Sequence, residues 1–461
     1  MSFVSFRLVC ILSVSTLCAC TSAATSAVSD ASLLEARSRR SSLEDVRSAL
    51  ALAELGPLSV PLPTAPDEMR GDRREFWQAA ALAWNPELRQ MRRRVRELRA
   101  LRDSAGRPAA LELEAGAREI ARPSDDAELS LTFDLLGLLA LGPSAAARDL
   151  ASAEERAALA DFERAVWRLR FDVDRARARL AGALALEAAM RALYGECAEE
   201  TTRIDLLGAR GWIGPAMREG AYASLHMVEH RQTMAQLEAV SMRAELAALC
   251  GLDVSHPTFE QFGGGAIDRF RAEDVELVEA QPRELLERLP ELRAAKLALA
   301  LAEAELRREA REQWPMLRVG PQLTWMPGET LLGGMLGIDL PFPGALDGRI
   351  AAARERREAA REALEDALVA RAARARQTHE ALHVALAQFE EHAPELDLSV
   401  ARMLVAARAE FRADPERLDK WSLALRERVE SLTSLVEARV DAVVAELDDL
   451  EARGVAREEQ P

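Results

Sequence analysis

The chain has 461 residues, a formal net charge of −16, 49% hydrophobic residues and only 5% aromatic ones. Positive charge is almost wholly arginine, with lysine only at 296 and 420, and no segment concentrates it on one face, which excludes a nucleic-acid binder. Abundant alanine, leucine, glutamate and arginine with few aromatics suits long helices.

Residues 1–19 read as a secretory signal: Arg7, then an apolar run from Leu8 to Leu17 that is too short to span a bilayer as a helix. The run ends in Leu17-Cys18-Ala19-Cys20, which resembles a bacterial lipobox. On that resemblance, cleavage before Cys20 frees its thiol for lipid attachment, and Thr21, where an Asp would mark inner-membrane retention, favours the outer membrane. The alternative is an ordinary signal peptide with chance cysteines. Residues 20–74, with Pro57, Pro61, Pro63 and Pro66, read as a lipidated tether and strap.

A helix is expected over 75–104, and a far longer one over 144–210, where no proline interrupts an apolar recurrence of three to four. At 1.5 Å per residue the second is a rod of about 100 Å, which needs neighbours of equal length. A reversal at Gly211-Trp212-Ile213-Gly214-Pro215 leads into a helix over 216–250. Residues 251–283, with the run Gly263-Gly264-Gly265, connect to a second set: a helix over 284–313, a long one over 348–412 with a kink at Pro394, a break at Asp414-Pro415, and a helix over 416–451. Residues 453–461 form a tail. In each set the two shorter helices together match the long one.

The duplication is also visible in residues. Trp84-Asn85-Pro86-Glu87-Leu88-Arg89 is echoed by Arg288-Leu289-Pro290-Glu291-Leu292-Arg293, and Gly142-Pro143 by Pro343-Gly344, at separations of about 200 residues. Repeat one therefore covers 75–250 and repeat two 284–452. The five cysteines form no disulfide framework; Cys197 and Cys250, roughly 30 Å apart along an antiparallel pair, read as small core residues.

Each repeat carries one strand-like stretch before its long helix, over 110–135 and 316–341. Strict alternation, as in Glu128-Leu129-Ser130-Leu131-Thr132-Phe133-Asp134, makes one face apolar and the other polar. No segment is left over to cover the apolar face. It either meets lipid while the polar face lines water, as in a transmembrane barrel, or belongs to a small soluble hairpin domain capping a coiled coil. Four strands cannot close a barrel, and open edges are forbidden in hydrocarbon, so the first reading requires several chains.

Two repeats of helix, strand hairpin and long helix, the Asn-Pro-Glu-Leu-like starts and the lipobox resemble the TolC family of outer-membrane efflux proteins, over residues 76–452. Gly211-Trp212-Ile213-Gly214 is similar to the first-repeat tip of that family. Ala406–Asp414 is similar to its second-repeat ending, with Phe411 for a tyrosine and Ala413 for a glycine. The resemblance implies a mainly α fold with a small membrane β part. Three chains would build a 12-stranded β-barrel in the outer membrane, continuous with a 12-helix periplasmic α-barrel. It implies a homotrimer that contacts outer-membrane lipid, docks a periplasmic adaptor and, through it, an inner-membrane pump, and gives passive exit to small molecules or ions. The connection 251–283 would join an equatorial belt.

On that basis Glu112, Glu114, Glu128, Asp134 and Asp339 are expected to line the pore, where an acidic lumen favours cations. Gly211, Trp212, Ile213, Gly214 and Asp414 are expected at the periplasmic tip, with Trp212 and Ile213 either exposed apolar residues for adaptor contact or packed against the neighbouring hairpin. The entrance would be narrowed by Asp414 and Asp419. No enzyme, cofactor or resident metal is expected, since no G-x-S-x-G, phosphate loop or dinucleotide fingerprint is present.

Two segments invite a metallopeptidase reading: His226-Met227-Val228-Glu229-His230 matches H-x-x-E-H, and His379-Glu380-Ala381-Leu382-His383 matches H-E-x-x-H. Both lie inside long helices, and neither has a third ligand at a family spacing, so metal binding without catalysis and tunnel-wall or groove residues are the other readings. The remaining alternative is a non-channel periplasmic helical scaffold whose hairpins never enter the bilayer.

Overall fold

The structure, a computed structural model, describes residues 73–105, 112–118, 126–134, 143–262, 288–313, 316–326, 329–339, 344 and 346–455. All described residues lie in one compact unit within Val46–Pro461. The signal segment, Cys20, the proline-rich strap, Gly263-Gly264-Gly265 and the tail beyond 455 lie outside the described residues.

The long proline-free stretch is one unbroken helix, here α3 (Pro143–Ala209). It ends because Gly211 adopts a left-handed φ of 70°, open to glycine at no steric cost. The Gly211 amide donates to the Gly208 carbonyl and the Trp212 amide to that of Leu207, each at 3.0 Å, which satisfies carbonyls left over at the helix end. Pro215 opens α4 (Pro215–Cys250), where its missing N–H costs nothing.

The expected helix over 75–104 is two helices, α1 (Arg74–Trp84) and α2 (Pro86–Ser104), split at Asn85. Pro86 disfavours helical backbone at the residue before it. The Asn85 side chain then caps the new start, accepting from the amides of Glu87 and Leu88 at 3.0 and 3.1 Å. At the echo, Leu289-Pro290, α5 (Pro290–Arg311) likewise begins at the proline, but no side chain caps its start.

In repeat two the long stretch divides into α6 (Asp347–Ala387), one wide π turn over Gln388–His392, and α7 (Ala393–Ala413). The irregularity expected at Pro394 falls in the turn just before it, where the carbonyls that would bond to a proline amide lose their donor. A short 3-10 turn at Pro415–Arg417 leads into α8 (Leu418–Arg453).

Ion pairs fix the register of the helices. Along α3, Glu155 receives Arg99 and Arg102 of α2, and farther down Asp205 accepts the Tyr222 hydroxyl of α4. Along α6 and α7, Arg357 and Arg349 meet Glu303 and Glu309 of α5, and Asp397 meets Arg428 of α8. Each long element is thus paired first with one short helix and then with another. One core joins α1, α2, the middle of α3, the end of α4 and the end of α8 around Trp77, Phe162 and Leu447. A second joins the far halves of α3, α4, α7 and α8 around Ile204, Phe411 and Trp421.

The strands β1 (Glu112–Arg118), β2 (Asp126–Asp134), β3 (Met316–Met326) and β4 (Glu329–Asp339) form one antiparallel sheet in the order β1-β2-β3-β4, so the two repeats meet at the β2–β3 pair. Among the described residues no helix is long and apolar enough to cross a membrane.

Candidate channel wall and hairpin tips

The register sorts the strand residues into two unlike faces. Glu112, Glu114 and Gly116 of β1 pair with Thr132, Ser130 and Glu128 of β2. Glu128, Ser130 and Asp134 pair in turn with Thr324, Gln322 and Arg318 of β3, and Arg318 and Met316 with Gly337 and Asp339 of β4. Because paired residues share a face, Glu112, Glu114, Glu128, Asp134 and Asp339 all fall on one face of the sheet. Sequence alternation alone could not say that the two hairpins place these positions on the same face.

That face is not purely acidic. Asp134 stands opposite Arg318, and Arg118 opposite Asp126, so two arginines share it with the carboxylates. Opposite charges at directly paired positions attract. The carboxylates still outnumber the arginines, and Glu112, Glu114 and Glu128 stand opposite Thr132, Ser130, Gly116 and Thr324 rather than a cation.

The other face carries Leu113, Leu129, Leu131, Phe133, Leu317, Val319, Leu323, Leu332, Leu336 and Ile338, and no charge. Among the described residues nothing covers its β4 part: Leu332 is 78% exposed, Leu336 67% and Ile338 58%. Among the described residues no further strand pairs with the edges β1 and β4, and exposed apolar side chains and unpaired strand edges are both surfaces that favour association.

At the far end of the helices, the Gly211 turn divides two residues that the sequence grouped together. Trp212 is 61% exposed, with the Arg210 guanidinium 6.0 Å from its ring. Ile213 is buried at 5% exposure, packed in the second core with Leu207 and Leu418, so the expectation of an exposed Ile213 is corrected. The turn folds Ile213 back under the hairpin and leaves Trp212 outside. Gly214 caps α4 through extended backbone. In the second tip, exposed Asp414 accepts from the Glu416 amide at 3.1 Å and stabilises the 3-10 turn, with Arg417 at 3.6 Å; Asp419 is also exposed.

The two hairpins are tied by a residue that the sequence reading missed. Glu200 of α3, 1% exposed, accepts from Arg408 Nε at 2.7 Å and Arg412 Nε at 2.7 Å, both on α7. Burial pushes its pKa up, but the hydrogen bonds and charges of Arg408 and Arg412 outweigh burial and hold it below the ordinary carboxylate value. Arg203 adds a bond to the Arg412 carbonyl at 2.6 Å and lies 5.8 Å from the Phe411 ring, which stacks on Trp421. An acidic residue inside the apolar stripe of α3, with two arginines one turn apart on α7, was the available signal.

Cys197 and Cys250 are both free and buried. Burial raises the Cys197 thiol to about 11 and the Cys250 thiol farther, so neither is a thiolate near neutral pH. Of the two histidine pairs, His226 faces Glu229 at 3.3 Å with both side chains exposed, whereas His379 and His383 face each other at 3.0 Å. Among the described residues no group of three or more His, Cys, Asp or Glu is placed to hold a metal ion.

No protein-family model matches the chain, and no curated protein matches it. Solved structures do. A membrane protein from Pseudomonas aeruginosa superposes with a TM-score of 0.71 at 18% identity, over 86% of this chain and 97% of that one. The outer membrane protein VceC from Vibrio cholerae gives 0.67 at 17% identity, over 84% and 97%. The Campylobacter jejuni CmeC outer membrane channel gives 0.68 at 14% identity, over 87% and 91%. At these identities the likeness speaks to fold. The chain has the fold of these outer-membrane channels, the TolC-like fold that its repeated helix and hairpin pattern resembles.

Proposed function

We propose that the chain is a channel subunit of the outer membrane, three copies of which join their sheets edge to edge into one closed β-barrel above a helical periplasmic tunnel. What carries the reading is the sheet: four strands with one face largely apolar and exposed along β4, and the other rich in carboxylates. In hydrocarbon every strand edge must be paired, and only closure by further copies achieves that. The likeness to outer-membrane channels supports the same placement. Helix α3, 67 residues and therefore about 100 Å long, has the reach that crossing a periplasm needs.

The finer roles follow from this reading. The channel is a passive exit duct of a tripartite efflux system, supplied with small molecules or ions by an inner-membrane pump through a periplasmic adaptor; it is not an enzyme. Glu112, Glu114, Glu128, Asp134 and Asp339 line the lumen, while Trp212, with Gly211, Gly214 and Asp414 shaping the tips, meets the adaptor. Cys20 carries the lipid anchor. The division into a signal peptide (1–19), strap (20–74), two repeats (75–250 and 284–452) and equatorial connection (251–283) belongs to the same proposal.

Native mass spectrometry of the protein extracted from membranes by detergent tests it. A trimer whose protomer mass includes acyl chains at Cys20 is the expected result. A monomer at all concentrations would leave the sheet open and move the reading to a periplasmic scaffold.

A further inference from the structure

The pair His379 and His383 has a geometry that the channel reading does not use. Both lie on α6, one turn apart, and their Nε2 atoms are 3.0 Å from each other. If one ion bound both nitrogens at about 2.05 Å, this 3.0 Å separation would subtend roughly 94° at the ion. A tetrahedral centre with the same bonds needs about 3.3 Å between the nitrogens. Both geometries lie within a few tenths of an ångström of the observed spacing, so the pair can close a chelate on one ion.

Behind the pair stands a buried carboxylate that lacks a partner on one oxygen. Asp449 of α8, with its side chain 1% exposed, places Oδ1 3.8 Å from His379 Nδ1. Neither atom has a hydrogen-bond partner, although Oδ2 accepts from Arg453 at 3.0 Å. An imidazole that gives Nε2 to a metal keeps its proton on Nδ1, which here faces the carboxylate. Contraction from 3.8 Å to hydrogen-bond distance would satisfy both orphaned atoms and lock the ring with Nε2 toward His383. His383 is exposed, so an ion can enter from solvent. Glu380, the acidic residue of the motif, is exposed and lines an adjoining groove with Gln377, Val384 and Asp441.

We propose that His379 and His383 chelate one divalent transition-metal ion, Cu²⁺ ahead of Zn²⁺ by the general affinity order of imidazole ligands, with Asp449 as the residue that positions the His379 ring. Two imidazoles are the protein ligands, and water completes the shell. The site lies within one chain and stands whether or not three chains form a channel.

The test is titration of full-length protein in detergent with Cu²⁺, read by calorimetry and electron paramagnetic resonance. The expected result is one ion per chain with an axial spectrum carrying splitting from two nitrogens. His383→Ala, at an exposed position, should lose this spectrum and bind at least 100-fold more weakly, while His226→Ala changes nothing. Asp449→Asn should weaken binding by about 10 to 100-fold yet keep the two-nitrogen splitting, a combination that a merely structural role would not give. Unchanged Cu²⁺ affinity in His383→Ala overturns the site, and unchanged affinity in a folded Asp449→Asn overturns the positioning role.

Discussion

Gly251 lies against Trp84 so closely that a β-carbon at Gly251 would sit 2.5 Å from the Trp84 carbonyl oxygen. The contact joins the end of α4 to the α1–α2 break, and Asn85 secures it by donating to the Leu249 carbonyl at 3.0 Å. Repeat two has the counterpart, where a β-carbon at Gly454 would fall 2.8 Å from Leu289 Cδ2 beside the start of α5. Both glycines hold a left-handed φ, 61° and 71°. One junction thus recurs in each repeat, and it sets one short helix in line with the next.

Gly251→Ala should therefore combine the left-handed strain with a backbone clash and cost about 2–4 kcal/mol. Gly454→Ala meets a flexible leucine end rather than backbone and should cost less. Thermal unfolding followed by circular dichroism ranks them; equal effects would show that the Trp84 contact yields.

Glu200 links stability to pH. Its folded pKa is held below the ordinary carboxylate value, so its stabilisation is fully present above that value and is lost as pH falls through the folded pKa. Glu200→Gln should cost about 1–3 kcal/mol at pH 7 and flatten the acid limb of the stability profile. Parallel acid limbs in the two proteins would separate the hairpin link from this carboxylate.

The two tip residues should respond in opposite ways. Ile213→Ala opens a cavity in the second core and should cost about 2–4 kcal/mol. Trp212→Ala removes an exposed ring and should stay within about 0.5 kcal/mol of the native stability, while adaptor crosslinking falls. Crosslinking that survives intact in Trp212→Ala would remove the ring from the adaptor surface.

Ion preference should follow the carboxylates that face no cation. In planar bilayers the reversal potential should report cation preference, and Glu114→Gln with Glu128→Gln should shift it toward zero. Arg318→Gln, by freeing the position opposite Asp134, should shift it the other way. Anion preference in the unmodified channel would end the acidic-lumen account.

By itself the sequence determined what repeats locally. An uninterrupted apolar recurrence makes α3 one helix, alternation marks the strands, and glycine or proline ends nearly every element, because these follow from backbone dihedrals and side-chain periodicity within a few residues. Even there, Asn85-Pro86 and Leu289-Pro290 were readable as breaks and went unread inside otherwise helical patterns. Tertiary structure decided the rest. It put Ile213 in the core and Trp212 in solvent from one turn, gave Glu200 its two arginines from more than two hundred positions away, and aimed Asp449 at His379. It also aligned the carboxylates of two hairpins on one face through the β2–β3 pairing. Those outcomes depend on which helix packs beside which and in what register, and registers are set by contacts between residues far apart in the chain, whose energies no local pattern encodes.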